Sequence, residues 1–105
     1  MIPTLLTVLA LSGLQGVVVR GPTMPVCVVE KPCTAPAANA RVSFIRSGRV
    51  YRTTTDARGR YRIPLAPGRY SVRVTGDRFG VKPALVVVAR GQLTRQNLYV
   101  DTGIR

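Results

Sequence analysis

Histidine and tryptophan are both missing from this 105-residue chain, acidic residues number four, and cysteine occurs twice. Without His the usual general base at neutral pH is gone, along with every Ser-His or Cys-His nucleophilic pair. The four acids, Glu30, Asp56, Asp77 and Asp101, lie far apart along the chain, so no carboxylate pair is visible either. Two thiols with no imidazole fall short of a tetrahedral zinc site. These absences argue against an enzyme and against a resident metal or other cofactor. The short supply of aromatics, four Tyr and two Phe, also argues against sequence-tolerant single-strand nucleic-acid binding, which uses exposed stacking platforms.

What the chain has in excess is arginine. Fourteen Arg and two Lys against four acids give a formal net charge of +12, so the surface repels itself and attracts polyanions. Two explanations compete: an anionic partner, or a high-GC genome that writes Arg for Lys with no ligand involved. A chain this basic binds DNA non-specifically at low salt under either explanation.

Residues 1–19, "MIPTLLTVLALSGLQGVVV", carry no charge. Ala10-Leu11-Ser12 satisfies the small-residue rule for cleavage before Gly13, although a basic n-region is missing. Residues 1–12 therefore read as a signal or leader segment and residues 13–105 as one domain, secreted or held at the cell envelope. The competing reading is an extra apolar strand. Pro3, Ser12, Gly13 and Gln15 interrupt the run and disfavour a transmembrane span. In an exported chain Cys27 and Cys33, in "PVCVVEKPC" between Pro25 and Pro32, pair as a disulfide. Closing so short a loop contributes about 2 kcal/mol at most, which rigidifies the loop rather than holding the fold.

The rest of the chain alternates with a period of two. "LQGVVVR" opens as a strand, and the proline-rich residues 21–40 read as a long loop. "ARVSFIR" and "RVYRTTT" follow, joined at Ser47-Gly48. "DARG" places Asp56 and Gly59 at the ends of a type I turn. "RYRIPL" then turns Tyr61, Ile63 and Leu65 inward and Arg60 and Arg62 outward. In "APGR", Pro67 and Gly68 suit the second and third positions of a type II turn. "RYSVRV" repeats the alternation, with Arg69 and Arg73 outward. After a loop around "GDRFGVKP", "ALVVVAR" and "QLTRQNLYV" add two more strands. Seven short strands and no helical spacing predict an all-β, seven-stranded antiparallel β-sandwich.

The double turn carries a resemblance. Thr55, Asp56, Gly59 and Tyr61, followed by Leu65, Pro67, Gly68 and Tyr70, resemble the signature of the carboxypeptidase regulatory-like domains, within the transthyretin-like (prealbumin-like) sandwiches. The resemblance spans roughly residues 14–100. It implies a non-catalytic appendage or a free-standing exported module, of a kind often grouped with carbohydrate-binding-like folds. The lack of Trp, and Tyr61 and Tyr70 on the inferred core face, speak against stacking on a sugar ring. Transthyretin-like hydrolases of purine degradation share the fold, but their family chemistry depends on His and on a C-terminal motif that "DTGIR" does not match.

One binding site is expected. Arg60, Arg62, Arg69 and Arg73 fall outward on consecutive strands, where four guanidinium groups would form a platform for an anionic polymer. The competing reading is a solvated face. The functional expectation is a non-enzymatic exported module for interaction or adhesion at the cell envelope, binding an anionic polymer or carbohydrate, with an anionic envelope polymer or a protein as partner. The alternatives are a structural accessory domain of a secreted complex and a basic nucleic-acid binder. Oligomeric state is open.

Overall fold

Alternation along each segment becomes two packed sheets. The computed structural model describes residues 12–23 and 33–103, and none of them is helical. The strands are β1 (Gly13–Gly21), β2 (Ala35–Pro36), β3 (Arg41–Arg46), β4 (Arg49–Thr54), β5 (Arg60–Pro64), β6 (Gly68–Val74), β7 (Val81–Lys82), β8 (Leu85–Val88), β9 (Leu93–Arg95) and β10 (Leu98–Asp101). The second sheet runs β4-β3-β6-β8, antiparallel throughout. The first is organised around β1, which bonds β5 and β9 along its first half and β2 and β10 along its second, with β7 outside β10.

The core lies between the sheets. Leu14, Val18, Tyr61, Ile63 and Leu98 of the first face Val42, Phe44, Tyr70, Val72 and Val86 of the second, all buried. The rings of Phe44 and Tyr61 sit 5.9 Å apart across the gap. Each such side chain contributes about 1.5–3 kcal/mol by leaving water. The β3–β4 hairpin turns on Ser47 and Gly48, at φ 51° and 79°, the two positive values that a type I′ turn needs. Beneath β3, the buried Thr55 hydroxyl accepts from the Ala40 N–H at 2.8 Å and donates to the Ala37 carbonyl.

Ten strands stand among the described residues where seven were expected, although each of the seven expected segments is extended, the last of them as two strands. Two of the extra three are two-residue pieces inside expected loops: β2 in the proline-rich stretch, where Pro36 is tolerated at an edge, and β7 in the stretch around "GDRFGVKP". The third comes from a break in the last segment, between β9 and β10. There Gly16 approaches so closely that a Cβ would lie 2.3 Å from the Gln96 carbonyl oxygen. The Val17 N–H turns to the Asn97 side-chain carbonyl at 3.0 Å, and the Tyr61 hydroxyl donates to the Gln96 carbonyl. Side chains thus replace two ladder bonds.

The pairing also differs from the expected all-antiparallel pattern. β1 runs parallel to β9 and β10, with Gly13 opposite Leu93 and Val18 opposite Leu98. The segment joining β5 to β6 is no hairpin: residues 65–67 carry the chain from one sheet to the other, with the Leu65 N–H donating to the Ser12 carbonyl. Gly68 accordingly opens β6 opposite Val88 at φ 148°, an extended conformation open to glycine, rather than occupying the third position of a type II turn. The leader residues 1–11, and Cys27 of the expected Cys27–Cys33 bridge, lie outside the described residues.

Candidate functional site

Asp56 organises the turn that leads into β5. Its Oδ1 accepts from the N–H groups of Arg58 and Arg60, both at 2.9 Å, and its Oδ2 meets Arg60 Nε at 2.9 Å. The Arg60 backbone N–H, foremost, holds the Asp56 carboxyl below its ordinary value. The Gly59 N–H closes the turn onto the Asp56 carbonyl, and the Gly59 carbonyl accepts from Val18 of β1 at 2.8 Å. This local chemistry fixes where β5 begins and therefore where its outward arginines stand.

On the outer face of the first sheet, Arg62 of β5 and Arg95 of β9 flank Gln15 of β1 in one row. Two strand spacings separate them, about 9.6 Å. With Arg60, Thr53 and Asp56 they line a groove of about 580 Å³. Arg60 is tied to Asp56, whereas neither Arg62 nor Arg95 has a carboxylate within ion-pair reach among the described residues. Two uncompensated guanidinium groups, with an amide between them, make an anion-accepting row.

Arg69 and Arg73 are elsewhere. They project from β6 on the outer face of the second sheet, on the opposite side of the sandwich from Arg60 and Arg62. The expected four-arginine platform is therefore divided into two pairs, because the chain crosses between sheets at residues 65–67 instead of turning back beside itself. Arg73 is engaged by Asp77 through Nε to Oδ2 at 2.9 Å and Nη2 to Oδ1 at 3.3 Å. The Arg73 guanidinium, foremost, holds the Asp77 carboxyl below its ordinary value. Each pair thus keeps one arginine neutralised by an aspartate four residues away and one with no such partner among the described residues.

Arg95 and Gln15 belong to the groove although neither was singled out from the sequence. Their meeting depends on a parallel pairing between the two ends of the domain, for which no local pattern exists. Among the described residues no group of three or more His, Cys, Asp or Glu side chains could hold a metal ion, and no helix is long and apolar enough to cross a membrane.

A carboxypeptidase regulatory-like domain profile matches residues 26–101. No curated protein sequence matches the chain. The matched span takes in the Asp56 turn, the crossing at Pro67 and every strand from β2 to β10, and on it the chain belongs to the carboxypeptidase regulatory-like domain family of the transthyretin-like superfamily.

Proposed function

We propose that this β-sandwich is a non-enzymatic module that, once exported, holds an anionic polymer of the cell envelope in the groove between Arg62 and Arg95. The carboxypeptidase regulatory-like family is non-catalytic, which supports a binding role over a chemical one. The observation that carries the reading is the row Arg62, Gln15, Arg95, whose two arginines have no carboxylate within ion-pair reach among the described residues, beside a groove of about 580 Å³. An open groove that displays charge on a sheet face suits a repeating anion better than a single small one, because successive charges can settle along it.

Polymer binding of this kind weakens steeply with salt, as each neutralised charge releases a condensed counterion. The experiment is a pull-down of the purified protein with isolated envelope fractions at low and physiological salt. R62Q/R95Q is expected to lose the binding that survives physiological salt, while R58Q/R90Q, equal in charge but outside the arginine row, binds as the parent does. Equal loss in both variants would reduce the effect to net charge and remove the groove from the account.

A further inference from the structure

The outer face of the second sheet offers a different chemistry. Strand pairing aligns Val50, Ile45, Ser71 and Leu85 in a single row across β4, β3, β6 and β8, about 14 Å long. Leu85 and the neighbouring Val87 are 66% and 61% exposed, and Val50 is 44% exposed. Basic residues flank this apolar row on both sides: Arg52 opposite Ser43 along one side, Arg69 opposite Val87 along the other. Among the described residues β8 pairs with β6 alone, so its far edge presents backbone donors and acceptors with no strand beside them.

We propose that this face docks an extended acidic segment of a partner protein, added as a fifth strand along β8. On the side of that strand that shares a face with Leu85 and Val87, an apolar side chain covers Leu85 and a carboxylate two residues along, on the same side, meets Arg69 beside Val87. Three observations select this occupant. A free strand edge is satisfied by another backbone, which neither a lipid surface nor a polysaccharide supplies as a ladder. An apolar row with Arg69 beside it on the same face is complementary to a strand whose same-face residues, two apart, are apolar and then acidic. A second copy of the chain would bring another +12 charge against the same arginines. The face lies across the sandwich from the Arg62–Arg95 groove, so the two sites are independent.

The test uses a fluorescein-labelled peptide of repeating Val-Ser-Glu-Ser, which sets valine and glutamate on one face of a strand, with binding read by anisotropy. The intact protein is expected to bind it, and L85S/V87S to bind at least about tenfold more weakly, from the lost apolar contact. Both side chains face solvent, so that variant should keep the melting temperature of the parent; R69Q, which leaves the apolar row intact, should also weaken binding. R58Q/R90Q should leave the affinity unchanged. The proposal is overturned if L85S/V87S binds as the parent does, or if the peptide with glutamine in place of glutamate, or polyglutamate of equal length, binds equally well. It is also overturned if Leu85 and Val87 instead govern pelleting with phosphatidylglycerol vesicles, or a concentration-dependent dimer in sedimentation.

Discussion

Arg46 lies directly over Gly68: a Cβ built on the glycine would stand 2.3 Å from Arg46 Nη1. The same guanidinium donates to the Pro67 carbonyl at 2.7 Å and sits 5.8 Å from the centre of the Tyr70 ring. The strand β3 end thereby clasps the point where the chain enters β6.

Gly68 is thus constrained twice, by its φ of 148° and by the arginine above it. Gly68→Val is expected to lower stability by about 1–3 kcal/mol through backbone strain, and further by displacing Arg46. Urea denaturation monitored by circular dichroism measures it. If adding Arg46→Ala to the Gly68→Val variant restores much of the loss, the steric part is isolated from the backbone part.

Thr55 is 2% exposed and its hydroxyl serves both the Ala40 N–H and the Ala37 carbonyl. Thr55→Val keeps the shape and removes both bonds. The expected loss is about 1–3 kcal/mol for each group left unpaired, large for a surface-proximal loop residue. Thr55→Ser, which keeps the hydroxyl, should recover most of it in the same denaturation series.

Acid should weaken the fold through two carboxylates. The Asp56 carboxyl is held below its ordinary 3.8 chiefly by the Arg60 N–H, and the Asp77 carboxyl below 3.8 chiefly by the Arg73 side chain. A carboxyl with a folded value below its unfolded one adds stability above the unfolded value and loses it as the pH falls through the folded one. Stability is therefore expected to decline below about pH 4. In D56N/D77N the urea midpoint should be lower at neutral pH and depend less on acid, so that the two curves converge. Parallel curves would place the acid sensitivity elsewhere.

Protein recovered from its native host is expected to begin near Gly13 and to carry Cys27 bonded to Cys33. Intact mass under non-reducing conditions decides both points. Reduction should cost no more than about 2 kcal/mol, because the loop is short. Two free thiols on a chain beginning at Met1 would sink the export reading.

Alternation made the inward and outward sides legible at once. Tyr61 and Ile63 of β5 and Tyr70, Val72 and Val74 of β6 are buried, while Arg60, Arg62, Arg69 and Arg73 are exposed, as a period of two requires. What alternation does not encode is which strand lies alongside. "APG" between two alternating strands fits a hairpin and a crossing equally well, and the choice rests on remote partners: Ser12 for Leu65, Val88 for Gly68. For the same reason the fate of the four arginines was hidden, and Arg95 could not be placed beside Gln15. β2 and β7 escaped because two residues carry no period.

The placement of β1 imposes an order on folding. The second sheet draws all its strands from residues 41–88, so its hairpin and neighbours can assemble from nearby chain. β1 comes first in the sequence, yet its parallel partners β9 and β10 lie eighty positions later, from Leu93 opposite Gly13 to Asp101 opposite Gly21. Such distant pairing is slow to form. On the ribosome, β1 can meet β2 and β5 earlier, but its parallel pairing with β9 and β10 has to wait until almost the whole domain has been made. Pulse-labelled hydrogen exchange during refolding should protect the amides of Val42 and Phe44 before that of Val17, which the Asn97 side chain between β9 and β10 holds, and this makes the end of the chain the latch that closes the sandwich.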